Sequence, residues 1–153
     1  MKSKDIVGPC GLYCEICTMH RAYEDKDLSP MKEAPVNFVK ALELPAELSF
    51  KDVACEGCLS STVFSFCEKC DIRKCVMDKN KQWCFECDES PCEKLFKFQS
   101  EWQLPILDNL REIKRMGAAK WLEKMDKEHR CQQCGRKLHW YSYGICPTCS
   151  KKS

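Results

Sequence analysis

Apolar side chains recur at helical spacing in several stretches of this chain. Val36, Val39 and Leu42 fall on one face with Phe38 beside them; Ser29 can cap this segment, Pro30 or Pro35 can open it, and Pro45 stops it. The following residues, 45–52, read as a short connector. Ser90, Pro91 and Glu93 make a strong helix start, with serine as cap, proline at the first helical position and glutamate three residues after the cap. Cys92, Leu95, Phe96 and Gln99 then share a face. Two more helices follow. Ile106, Leu110 and Ile113 mark one that opens at Pro105 and ends at Gly117, and Ala118, Trp121, Leu122, Met125 and His129 mark the next. Beyond residue 131 the pattern changes to a candidate hairpin over 137–145, in which Gly144 turns the chain.

Cysteine changes this picture. The chain has 153 residues and 15 cysteines, a density that marks a fold held by cross-links or metals. After its basic start the N-terminus has only two apolar residues, Ile6 and Val7, before Gly8-Pro9, so no export signal is visible, and no apolar run approaches the roughly 20 residues that span a bilayer. A cytoplasmic location is expected, where thiols stay reduced and free for metal. An odd cysteine count also fits poorly with complete disulfide pairing.

The thiols come in knuckles. Cys67, Cys70 and Cys75 read C-x-x-C-D-x-x-x-C, and Cys84, Cys87 and Cys92 repeat that pattern 17 residues on. A C-x-x-C pair places two sulfurs on one turn, close enough for one tetrahedral metal ion, and a third cysteine can close or share the site. The two triplets partly resemble the two-zinc, six-cysteine clusters of fungal transcription factors, but their third cysteine comes sooner and no basic helix lies between them. Cys10, Cys14 and Cys17 form C-x-x-x-C-x-x-C, a spacing also found where three cysteines hold an iron–sulfur cluster, although nothing downstream alternates strand and helix as a barrel enzyme would. Cys55 and Cys58 form a further knuckle whose natural complement is Cys14 with Cys17. Sites mixing Cys67, Cys70, Cys84 and Cys87 are equally consistent with the spacing. His20 reads as a surface histidine beside Arg21, and His129 as a residue at a helix end rather than a catalytic group.

The most specific motif is C-terminal. Cys131 and Cys134, eleven intervening residues, then Cys146 and Cys149 give two knuckles flanking the candidate hairpin, the arrangement of a zinc ribbon. Zinc binding of about 10–16 kcal/mol can supply folding energy that so short a segment cannot bury. Arg136, Lys137, Trp140, Tyr141 and Tyr143 are candidate surface contacts that can hold single-stranded nucleic acid, set against the packing a small ribbon needs from its rings. Residues 1–92 carry 12 basic and 16 acidic side chains, whereas residues 131–153 carry four basic and no acidic ones. Each four-thiolate zinc adds two negative charges, which disfavours nucleic acid at the body and leaves only a weak, salt-sensitive contact at the tail.

The openings Cys10-Gly11-Leu12 to Cys17, Cys55-Glu56-Gly57-Cys58, and Cys84 to Cys92 followed by a helix together resemble a cysteine-rich prokaryotic family of unknown function, over about residues 5–100. Arg111 to Leu122 matches a segment of some relatives, and Glu15 stands where many have glycine. The resemblance implies a metal frame and brings no activity with it.

The expectation is a small metal-stabilised α+β protein: an irregular cysteine-rich domain with short helices (1–100), a helical connector (101–130) and a β zinc ribbon (131–153). Its cofactor is expected to be zinc at three or more ions, with an iron–sulfur cluster as the alternative. The function expected is a structural or protein-interaction module with a protein partner and no membrane contact. An iron–sulfur electron carrier or redox sensor is the second reading. No carboxylate, histidine or serine cluster stands out as an open catalytic site, which argues against an enzyme.

Overall fold

A computed structural model describes residues 6–139, 145–146, 148–149 and 151–152. Short helices carry the N-terminal half: α1 (Thr18–Glu24), α2 (Ser29–Glu33), α3 (Val36–Ala41), α4 (Ser65–Glu68) and α5 (Asp71–Asp78). Single 3-10 turns lie at Cys14–Ile16, Phe50–Val53 and Cys84–Glu86. The longest elements follow, as α6 (Glu93–Trp102), α7 (Ile106–Met116) and α8 (Ala118–Glu128).

The expected α+β class is corrected by this architecture. Among the described residues the regular structure is helical, and sheet is confined to two-residue strands, β1 (Ile145–Cys146) paired antiparallel with β2 (Lys151–Lys152). Among the described residues no strand stands over 137–139, where Lys137 makes an isolated bridge with Arg130; the remaining part of the expected hairpin, residues 140–144, lies outside the described residues. The reason is local. Residues 136–138 pair back across the knuckle, with Cys131 N–H donating to Arg136 O at 2.8 Å, Lys137 bridged to Arg130 and Leu138 N–H donating to His129 O at 2.9 Å.

The helical segment expected between Ser29 and Pro45 is broken into two. Ala34 precedes a proline and takes an extended conformation (ψ 146°), which ends α2 before Pro35 caps α3. Leu42 is buried as its pattern implies, but Val36 is 67% exposed, so the apolar face is shorter than the spacing suggests. Helix α6 starts at Glu93 with Cys92 as an extended N-cap, two residues later than the Ser-Pro signal indicates. Gly117, at φ +85°, closes α7 and opens α8, as the pattern predicts.

Two apolar clusters organise these elements. The larger joins Val7 and Tyr13 to Ile72 and Val76 of α5, Leu95 of α6, Ile106, Leu110 and Ile113 of α7, and Trp121, Leu122 and Met125 of α8. Trp121 is fully buried with its ring edge-on to Tyr13 at 5.7 Å, so the residues 101–130 pack into the same core as the N-terminal loop. The smaller cluster gathers Met19, Ala22, Met31, Leu42, Val53, Cys55 and Phe64. Trp102 borders both, packing with Phe38, Phe66 and Phe98. Gly11 seats the N-terminal loop on α7. It sits at φ +91°, a Cβ there would lie 2.7 Å from Ile106 O, and Asn109 Nδ2 donates to Gly11 O at 2.9 Å. No helix of the described residues is long and apolar enough to cross a membrane.

Candidate metal centre

The C-terminal knuckles converge. The Sγ atoms of Cys131, Cys134, Cys146 and Cys149 all lie within 4.8 Å of one another, with Cys131 to Cys149 at 3.8 Å and Cys134 to Cys146 at 3.7 Å. Four sulfurs at about 2.3 Å from one tetrahedral zinc stand about 3.8 Å apart, so this spacing suits a single ion. The loops that carry them are tied together by Arg136, whose Nη1 donates to Thr148 Oγ1 at 2.9 Å.

Backbone donors prepare these sulfurs for negative charge. The N–H groups of Cys134 and Gln133 hydrogen-bond Cys131 and bring its thiol down to about 6. The N–H of Cys149 acts first on Cys146 and, with that of Thr148, outweighs burial to lower it as well. Cys149 moves the other way, to about 12, through its hydrogen bond with Cys134 and through burial. Such a set holds some protons until a metal displaces them.

The eleven other cysteines divide into two groups. Seven of them, Cys10, Cys14, Cys17, Cys55, Cys58, Cys67 and Cys70, line one cavity of about 110 Å³, with Met19, Leu42, Phe66 and Trp102 among its apolar walls. Cys75, Cys84, Cys87 and Cys92 line a cleft of about 480 Å³, and Cys84 stands between the two, close enough to Cys10, Cys58 and Cys70 of the cavity to interact with them electrostatically. Cys14, Cys17, Cys55 and Cys58, expected as one four-sulfur set, all line this cavity, as does Leu42, but no three of their sulfurs stand within 4.8 Å of one another. Cys67 and Cys70 line the cavity and Cys87 lines the cleft, while Cys84, on the cleft, also neighbours Cys70. Among the described residues, the C-terminal set is the only group of three or more Cys, His, Asp or Glu whose ligand atoms all stand within 4.8 Å.

The repeated sequence pattern diverges in space. Cys70 caps α5, which carries Cys75 round to the cleft. Five residues along an α-helix turn about 140° around its axis. The second copy has Pro91 where helix would continue: its residues make a turn at Asp88–Glu89, with Ser90 N–H donating to Cys87 O at 3.0 Å, and helix begins only after Cys92 caps α6.

Charge around the cavity is set by burial. Burial pushes Cys17 up to about 11 and Cys58 up to about 12, and raises Cys14 strongly, with the neighbouring thiols Cys17, Cys55 and Cys58 adding to it. Cys55 is the exception: burial opposes ionisation, but a hydrogen bond from His20 and the N–H groups of Phe64 and Gly57 outweigh it and lower the thiol. His20 is not the surface histidine its sequence context suggests. It is 3% exposed, with Nδ1 2.9 Å from Cys55 O and Nε2 3.6 Å from Glu15 Oε1. No spacing rule signals that contact, because α1 turns His20 inward only once Cys17 has capped it.

In the cleft, Lys79 Nζ donates to Glu89 Oε2 at 2.9 Å and to Cys87 Sγ at 3.3 Å. Glu89 and then Cys87 raise the lysine, which places a fixed cation against this sulfur group.

Of the candidate contact residues near the C-terminus, Arg136 is exposed and Lys137 is ion-paired with Glu15 of the body. Trp140, Tyr141 and Tyr143 lie outside the described residues. His129 caps the end of α8, as its position suggests, with Nδ1 3.0 Å from Met125 O.

Residues 6–97 match a family model described as a protein of unknown function, DUF3795. No curated protein and no solved structure matched the chain.

Proposed function

This chain belongs to the DUF3795 family, proteins of unknown function, and we propose that it is a metal-built scaffold that presents a surface to a protein partner. Cys131, Cys134, Cys146 and Cys149 hold one zinc ion that closes the C-terminal segment, and the seven-thiol cavity and the four-thiol cleft hold further soft metal. The observation that carries this reading is the tetrahedral spacing of the four C-terminal sulfurs. The metal is structural there, since all four positions around it are taken by protein sulfur and none is left for a substrate or water.

Half-exposed apolar side chains support a protein contact. Phe96 and Met77 are 53% and 52% exposed, and Phe96 borders a groove with Phe85, Pro91 and Leu107. Nucleic acid is a poorer fit, since Lys137 is held by Glu15 and Arg136 by Thr148.

Metal analysis of the full chain, purified without oxygen, tests the scaffold. Zinc should be present, and Cys134→Ser should remove one equivalent while leaving the metal of the other two groups in place. Equal zinc in the variant and the parent would overturn the C-terminal assignment.

A further inference from the structure

The body and the C-terminal segment arrange their sulfurs differently. At the C-terminal site the four Sγ atoms close on a point, at the spacing of one ion. In the body seven thiols surround a hollow of about 110 Å³, yet among the described residues no three ligand atoms there lie within 4.8 Å of each other. A mononuclear tetrahedral site requires that closeness. A group with metal atoms and bridging atoms of its own does not.

We infer that this cavity is the site of an iron–sulfur cluster, a proposal that rests on the reading of the body thiols as metal ligands and specifies what they hold. The hollow is several times larger than the roughly 10–15 Å³ that one water needs, and its walls offer a water few polar partners besides the thiols. Sulfide bridges supply the interior atoms that the cysteines, standing back from one another, leave room for. Four cysteines suffice for either common cluster type, so seven thiols are more than enough. The apolar wall formed by Leu42, Phe66, Trp102 and Leu104 limits solvent access to such a cluster.

The site also carries built donors toward sulfur. Met19 and His20 direct backbone N–H groups at Cys17, and Gly57 and Phe64 direct theirs at Cys55. Similar donors serve Cys131 and Cys146 at the C-terminal site. Hydrogen bonds to ligating sulfur are among the features that tune a cluster's potential. Each cysteine that ligates gives up its thiol proton to solvent, and the iron–sulfur bond takes its place.

The test uses the full chain, reduced and stripped of metal without oxygen, then loaded with one equivalent of zinc. Ferrous and ferric iron are added with inorganic sulfide, so that assembly needs no other oxidant. The expected result is iron and acid-labile sulfide bound in equal amounts, a brown visible absorption, and zinc retained at the C-terminal site. Replacing Cys14, Cys17, Cys55 and Cys58 together by serine leaves three cavity thiols and should abolish sulfide binding. Because that variant can fail to fold, Cys75→Ser/Cys87→Ser is the second arm: it disables the cleft without touching Cys84, which neighbours the cavity thiols, and should keep the full complement of iron and sulfide. Loss of the cluster in the cleft variant would assign it there and overturn the proposal. So would a cavity that fills with zinc and binds no sulfide, or one that binds neither while the C-terminal zinc stays in place. Loss of zinc from the C-terminal site of the parent chain would instead count against the scaffold reading above.

Discussion

Lys137, from the C-terminal cysteine segment, is ion-paired with Glu15, which directly follows Cys14 in the body. The same carboxylate stands 3.6 Å from both His20 Nε2 and Arg21 Nη1 and is only 9% exposed. Two cations, Lys137 and Arg21, and the His20 ring thus share one largely buried anion. Removing it leaves their charge unbalanced, so Glu15→Ala is expected to cost about 2 kcal/mol, in the range of hydrogen bonds to charged groups. Urea unfolding of the metal-loaded protein checks this, and a loss below about 0.5 kcal/mol would place the pair among ordinary solvated ones.

Substituting Gly11 by alanine should destabilise the protein by about 1–3 kcal/mol, the cost of holding a side chain in an unfavoured backbone region, with added repulsion from Ile106 O. Gly8→Ala is the internal control, because a Cβ there meets Cys10 Sγ at 3.4 Å, an ordinary contact. Guanidinium unfolding of the two variants should separate them clearly. Equal stabilities would show that the seat on α7 yields to a methyl group.

A pH dependence is expected from His139, which is 5% exposed. Burial, then the charges of Arg136 and Arg21, lower its pKa to about 4 from an ordinary 6.5. The unfolded chain therefore binds a proton that the folded chain refuses. Stability from this source is complete above pH 6.5 and falls as the pH drops from 6.5 toward 4, by at most about 3 kcal/mol. Comparing parent and His139→Gln over that window isolates the histidine from carboxylates, which titrate in both. Parallel stability curves would contradict the expectation.

Single-stranded RNA titrated at about 0.15 M salt, the physiological ionic strength, should show no submicromolar complex. Neutralising phosphates needs free cations, and Lys137 and Arg136 are both engaged within the chain. Submicromolar affinity that is lost on changing Lys137 and Trp140 to alanine would reverse the ranking of protein and nucleic-acid partners.

Helices α7 and α8, with Gly117 between them, were readable from periodicity because their apolar faces pack against a core in the ordinary way. The α1 and α5 segments were not: the inward positions of α1 include Thr18 and His20, and α5 buries only Ile72 and Val76 among its 8 residues, too short an apolar stripe to stand out between cysteines. Cysteine spacing located every knuckle and the convergence of Cys131 and Cys134 with Cys146 and Cys149. It could not say which knuckles of the body meet, because that depends on the direction in which α5 carries Cys75 away from Cys70. The β ribbon was over-read from two flanking knuckles: their turns are set by local N–H donors and do not require a ladder between them.

The placement of the indoles gives this protein its own optical gauge. Trp102 borders the seven-thiol cavity and Trp83 borders the four-thiol cleft, stacked on Phe85 at 5.7 Å, whereas Trp121 is sealed beside Tyr13. On the proposed loading, emission from Trp102 would follow the filling of the cavity and emission from Trp83 the filling of the cleft. With single tryptophan-to-phenylalanine replacements, the order in which the two compartments load can be read from fluorescence alone, without a dye or an added tag.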